Sequence, residues 1–399
     1  MSSNSVRLKF ICRLGYGDSL PKGEEFAGDV PVFGSNGQYT TTSARNTDVP
    51  AIVLGRKGSY GKVNWAPVGC FASDTTFFVD ERLTAANLRW LYWSLQTLSL
   101  DEGSLEAAVP GLNRDSVYDE RVWLPSLTDQ SSVANYLDRE TTRIDALIAE
   151  KEHMLALLEE KRTALISRVV TCGLDPNASL KPSGQEWLGE IPAHWGLQRL
   201  KQLADVRGGL TLGKQYSGEL LEYPYLRVAN VQDGYLKLDD ILTVVVPASE
   251  AASNLLAYGD VLMNEGGDID KLGRGCVWRD EIAPCLHQNH VFAVRPHSVD
   301  PEWLALWTST LQAKRYFESR AKRSTNLASI SGSNVKELPV LLPPVAEQLA
   351  IQQFLVDRHS RLEAVRKELR DSLRLLSERR AALITAAVTG QIPIEEMTQ

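Results

Sequence analysis

No apolar run in the 399 residues approaches the ~18 that a membrane span requires. The opening MSSNSVRLKF has no apolar stretch of the secretory-signal kind, so a cytoplasmic protein is expected. Cysteine is sparse. Cys12, Cys70, Cys172, Cys276 and Cys285 are odd in number, scattered and without a CxxC pair, which speaks against a disulfide frame or a zinc site. Excess positive charge is missing too: the formal net charge is -7, unlike that of a nonspecific nucleic-acid binder. A small patch that reads bases stays open, because other subunits could neutralise most of the phosphates.

Motifs for chemistry are also absent. Gly208 to Lys214 has the spacing of a phosphate loop, but Gln215 stands where a magnesium-holding Ser or Thr belongs. Gly15-Tyr16-Gly17 is too short for a dinucleotide or S-adenosylmethionine site, and Pro343-Pro344 lies between Leu342 and Val345, outside any amino-methyltransferase motif. His287 and His290 have no further ligands at zinc spacing, so no metal is expected. No Ser/His/Asp, Cys/His or paired-carboxylate arrangement can be assembled. A self-sufficient enzyme is therefore disfavoured.

What the chain does contain is a copy of itself. Residues 124–171 align without a gap with residues 342–389, and 17 of the 48 positions are identical. Gln130 maps to Gln348, Leu137 to Leu355, Arg143 to Arg361 and Leu165 to Leu383. Each copy carries one apolar stripe at steps of three, four and seven: Leu137, Ile144, Leu147, Ile148, Leu155, Leu158, Leu165 and Val169 in the first. The second has Leu355, Leu362, Val365, Leu369, Leu376, Leu383 and Val388. Gly173 and Gly390 are natural stops. Each helix should run about 40 residues, roughly 60 Å at 1.5 Å per residue. Packing the two on each other as a coiled coil would cover both stripes, and a two-fold pseudo-repeat makes antiparallel the more natural order.

The remaining segments, 1–123 and 197–341, read as mixed strands with one helix each, over 84–98 and 301–320. Residues 173–196, rich in Pro and Gly and without periodicity, read as a connector, and 391–399 as a tail. After the connector the chain restarts, Leu200-Lys201 matching Leu8-Lys9. Each half has a glycine-hinged loop with charge. In the first, Gly34-Ser35-Asn36-Gly37 precedes residues 55–62 with Arg56, Lys57, Ser59 and Lys62. In the second, Asn264 to Asp268 is followed by Lys271 and Arg274. Glycine allows close backbone approach, and the cations suit phosphate or guanine. The amides and imidazoles of His287, Gln288 and Asn289 can meet base edges. Lys322, Arg323 and Ser324 are read as the end of the last helix of the second half. That basic end lies in a run with Lys314, Arg315 and Arg320. A structural adaptor without DNA reading is the competing class.

In this order these segments resemble the specificity subunit of type I restriction-modification systems over essentially the whole chain. The carrying motifs are SNG, GRKGS, Asp74 to Phe77, PGLN to Asn113, GLDP, EWLGEIPAHW, PYLRVANVQDGYL, GDVLMNEGGD, KLGRG, LHQNHVF, KRSTNLASI and LPPVAEQ. The resemblance implies an α+β chain of two mixed α/β target-recognition domains, 1–123 and 197–341. Two long antiparallel helices, 124–172 and 342–390, would separate them as a coiled coil with pseudo-two-fold symmetry. It further implies no catalysis by this subunit: each domain would read half of a split DNA site and the coiled coil would set the spacer. Two methyltransferase subunits carrying S-adenosylmethionine would dock on the helices, with motor-nuclease subunits joining them. Double-stranded DNA would meet the loop residues already named together with Arg227, Asn230 and Glu265. The stripe residues Leu137, Ile144, Leu155, Leu158, Leu165, Leu355, Leu362, Leu369, Leu376 and Leu383 would serve coiled coil and docking.

Overall fold

The structure is a computed structural model that describes residues 5–23, 25–26, 28–101, 111–324 and 327–398. Pro110, Thr325 and Asn326, which belong to the motifs above, lie outside them. The chain forms two compact units, residues 1–153 with 369–399, and residues 154–368.

Both long helices form. Leu127–Cys172 has 46 residues and Val345–Val388 has 44. At the first start, Ser126 Oγ accepts from the amide of Asp129 and donates to its carboxylate, an N-terminal cap with an acid in the first turn. Gln130 and Gln348, matched by the repeat, are both buried and donate to the carbonyls of Pro125 and Pro343. Gly173 and Gly390 stop the helices at φ +77° and +72°, a conformation that costs a β-carbon residue energy.

The helices pack together antiparallel. In the first unit the early part of one meets the late part of the other: Leu137, Ile384, Ala387 and Val388 share a core, and Arg380 forks onto Asp145 at 2.7 and 3.2 Å. In the second unit Val169 and Val170 share a core with Ile351 and Leu355, and Arg366 lies 3.2 Å from Glu159. Leu137, Ile144, Leu355 and Leu369 are buried, whereas Leu155, Leu158, Leu165, Leu362, Leu376 and Leu383 are half-buried.

The first unit has a four-stranded antiparallel sheet in the order Gly15–Tyr16, Thr76–Asp80, Ala51–Gly55, Val63–Ala66. Beside it is a three-stranded sheet, Gly37–Thr42, Val30–Gly34, Phe71–Ala72, whose last pair is parallel. The second unit repeats this plan. Its four-stranded sheet is Ala204–Arg207, Val291–Pro296, Val261–Asn264, Gly275–Val277. Its three-stranded sheet is Leu242–Val246, Leu221–Leu226, Leu286–His287, again with a parallel last pair.

Two helix expectations change. The helix expected over 84–98 is Leu88–Leu95, because the Thr84 hydroxyl is engaged with the carbonyl of Ile11 and the Asn87 side chain caps at Trp90. The helix expected over 301–320 is two, Pro301–Ser309 and Leu311–Arg320. Thr310, buried and extended at ψ 153°, caps the second through its side chain. The connector holds a hairpin, Leu180–Pro182 with Glu190–Pro192, and buries Trp195, whose indole donates to Glu347 at 2.9 Å.

Candidate nucleic-acid interface

In each unit, loops at one margin of the sheets are tied together by main-chain bonds in the same pattern. In the first, the Gly55 amide donates to Lys62 O at 2.9 Å and that of Gly61 to Gly55 O at 2.9 Å, closing the loop 55–62. Arg56 is clamped from both sides: its amide donates to Thr75 O at 2.8 Å, and its carbonyl accepts from Leu112 at 2.8 Å. In the second unit the loop 264–274 closes between Asn264 and Arg274 at 2.9 Å and between Gly273 and Asn264 at 3.1 Å. Glu265 is clamped by His290 O at 2.9 Å and by the amide of Ile330 at 2.9 Å. Residues 55–62 and 264–274 are thus the same loop, longer in the second unit.

The side chains on these frames differ. In the first unit Arg56 lies over the rings of Tyr16 and Phe77, 5.5 and 5.7 Å from their centroids, and donates to Asp74 O at 2.6 Å. Arg114 shares Tyr16, at 5.3 Å. No carboxylate lies within ion-pair distance of either guanidinium among the described residues. Lys57 and Ser59 are exposed, and Lys62 donates to the Asn36 side chain. A cationic, aromatic-backed patch results. It suits phosphate and acceptor-rich base edges.

In the second unit the charge is mixed. Glu265 Oε2 lies 2.6 Å from His290 Nδ1, Lys271 pairs with Asp268, and Arg227 reaches Asp240 at 2.9 Å. The Lys271 partner holds the Asp268 carboxyl below its ordinary value. Arg274, Gln288 and Asn289 are half-buried. Lys322, Arg323 and Ser324 are exposed, but the first two form a short strand paired with Ala328–Ser329 instead of ending a helix. The helix has already stopped at Arg320.

Three of the residues expected at the interface are buried. Ser35 is buried and donates to Thr75 O at 2.6 Å. Asn230 is buried, its amide bridging the carbonyls of Lys237 and Asp240 while its oxygen accepts from the Arg227 amide. His287 is 0% exposed, with Nδ1 2.7 Å from Val291 O. All three spend polar groups on holding loops in shape. Sequence reasoning missed Tyr16, set aside as part of a failed nucleotide motif, and Arg114, which directly follows the PGLN motif. Among the described residues no three His, Cys, Asp or Glu side chains gather as a metal site. Burial pushes the thiols of Cys12, Cys276 and Cys285 up to about 12, so they stay protonated at neutral pH.

Burial also holds His287 below the ordinary histidine value of 6.5, with Arg207 and Arg295 opposing its charge and Asp260 favouring it. Above 6.5 both folded and unfolded chains are neutral here. As pH falls below it, the unfolded chain takes a proton that the folded chain refuses, so stability is lost on acidification toward the depressed folded value. Thermal melts between neutral and about pH 5 should show the wild type losing more stability than His287→Asn. Equal slopes would show that the ring is not sealed from solvent.

Similarity to known proteins follows the same lines. No protein-family profile matches the chain. It is 27% identical over 186 residues to the putative type I restriction enzyme MjaX specificity subunit of Methanocaldococcus jannaschii, covering 46% of this chain and 43% of that one. It is 24% identical over 275 residues to the EcoKI specificity subunit of Escherichia coli K12, covering 67% and 57%. These matches take in about half the length of those relatives. The EcoDI specificity subunit of Escherichia coli is matched at 20% identity over 97% of this chain and 88% of its own length. In sequence, this chain is a relative of type I restriction specificity subunits. The specificity-subunit fold is matched as well. A chain from a structure of type I restriction-modification complex assembly and conformational transition superposes with a TM-score of 0.69 at 16% identity, covering 97% and 98%. The HsdS subunit of Thermoanaerobacter tengcongensis superposes at 0.50, with 15% identity. No helix among the described residues of this specificity-subunit relative is long and apolar enough to cross a membrane.

Proposed function

We propose that the chain selects the DNA target of a type I restriction-modification complex and performs no chemistry itself. Each unit reads one half of a bipartite site through the loops clamped at Arg56 and Glu265. The observation that carries this reading is one frame, repeated down to its main-chain bonds, bearing different side chains where the frame is most open. Two different targets call for such a plan. Two modest readers also multiply discrimination, each mismatched pair costing about 1–3 kcal/mol.

The two long helices, each running through both units, hold the readers in register and so set the unread spacer. Two methyltransferase subunits carrying S-adenosylmethionine dock on them, and motor-nuclease subunits join the complex. The net charge of -7 fits a division of labour in which partners supply most of the phosphate contacts.

Exchange of residues 1–123, or separately 197–341, for those of another specificity subunit tests this. Genome-wide mapping of methylated adenines should show one half-site changed in each chimera, with the other half-site and the spacer kept. A target unchanged in both chimeras would leave only the adaptor reading.

A further inference from the structure

Arg56 and Glu265 occupy one locus of the repeated frame. Each donates its amide to the residue facing it across the sheet, Thr75 or His290, and each accepts at its carbonyl from the third loop, at Leu112 or Ile330. The two side chains therefore leave the frame at the same point, and they differ in hydrogen-bond polarity. A guanidinium only donates, and an ionised carboxylate only accepts.

Neither group is spent inside its own unit. Arg56 rests on Tyr16 and Phe77, gives one bond to a carbonyl, and faces no carboxylate among the described residues. Glu265 uses one oxygen on His290, and its other oxygen has no hydrogen-bond partner among the described residues. A carboxylate brought up to a polyanion is repelled by the phosphates. It is tolerated on a DNA-facing loop where it meets a donor, and in the major groove the donors are the exocyclic amino groups of cytosine and adenine. Arg56 has the opposite requirement, met by the two acceptors O6 and N7 of guanine.

We propose that this single locus sets base preference of opposite polarity in the two half-sites: Arg56 selects guanine, and Glu265 selects a base presenting an amino group, cytosine N4 or adenine N6. The assignment rests on the reading of the two units as DNA readers. His290 is a positioning residue, aligning the Glu265 carboxylate.

The test is enrichment from a randomised duplex library by the full chain purified with its methyltransferase subunits, compared with Arg56→Gln and Glu265→Met. In the wild-type motif, one guanine in one half-site should lose its preference about tenfold or more in Arg56→Gln, with the other half-site kept. Glu265→Met removes the acceptor, where a glutamine could still pair with adenine, and should relax one cytosine or adenine in the other half-site; the base that relaxes tells the two amino donors apart. Arg56→Met keeps the side-chain stem against Tyr16 and Phe77 and carries the same expectation should Arg56→Gln fold poorly. A uniform loss of affinity with the motif intact would mean phosphate contacts and overturn the assignment. So would relaxation at a base of the other polarity. If the wild-type complex enriches no motif at all, the underlying reading fails instead.

Discussion

Gly17→Ala is expected to destabilise the first unit by about 3 kcal/mol, the upper end of what overpacking costs. A β-carbon there would stand 2.0 Å from the carbonyl oxygen of Ser73 and 2.6 Å from that of Ala72. Neither can retreat easily. Ala72 O already accepts from Asp18 and from the Asn46 side chain, and the Ser73 amide is bonded to Phe33 O. The second unit repeats the crossing: a β-carbon on Gly209 would lie 2.1 Å from His287 O and 2.6 Å from Gln288 O. Gly209→Ala should therefore cost a similar amount, and the two effects should add, since each sits in its own unit. Denaturant midpoints give the stability change. Methylome mapping should show the first variant blurring one half-site and the second the other. Wild-type stability in both would mean that the loops do not cross as described.

Leu155→Pro is the second large effect. Proline in a helix interior removes one backbone bond and clashes with the preceding turn, costing about 3 kcal/mol or more. Leu155 lies well inside Leu127–Cys172, which contributes to both units, so a kink there should spoil both half-sites together. Leu373→Pro in the other long helix should do the same. Inserting seven residues at matched points in both helices keeps the stripe in phase and should change the spacer alone. Mapped adenines would separate the cases. One half-site surviving intact in Leu155→Pro, or an unaltered spacer after the insertion, would count against the helices as the coupling element.

The long helices were legible because their signals are local: an unbroken stripe, a gapless repeat and a glycine at each end. The counterpart loops 55–62 and 264–274 were legible as a kind, glycine with charge, but their register was not. Three added residues in the second loop hide the fact that Arg56 answers to Glu265, and main-chain bonds that fix the match leave no mark in side-chain pattern. His287 misled for a related reason. Set among Gln288, Asn289 and His290 it looks like surface, yet it ends a strand whose parallel partner buries it. Arg114 and Tyr16 were invisible because their meeting joins chain segments almost a hundred residues apart. The break at Thr310 was missed because a threonine inside an apolar-periodic run carries no breaker signal, although its hydroxyl can replace the helix bonds it interrupts.

The double clamp at Arg56 and Glu265 has a wider consequence. Both of its bonds use backbone atoms, so the anchoring would be the same with any residue but proline in that place. Mutation can reverse the chemistry displayed there while the scaffold beneath keeps its attachments. A reader built this way can drift from one target to another by single steps, with folding left almost indifferent to the choice.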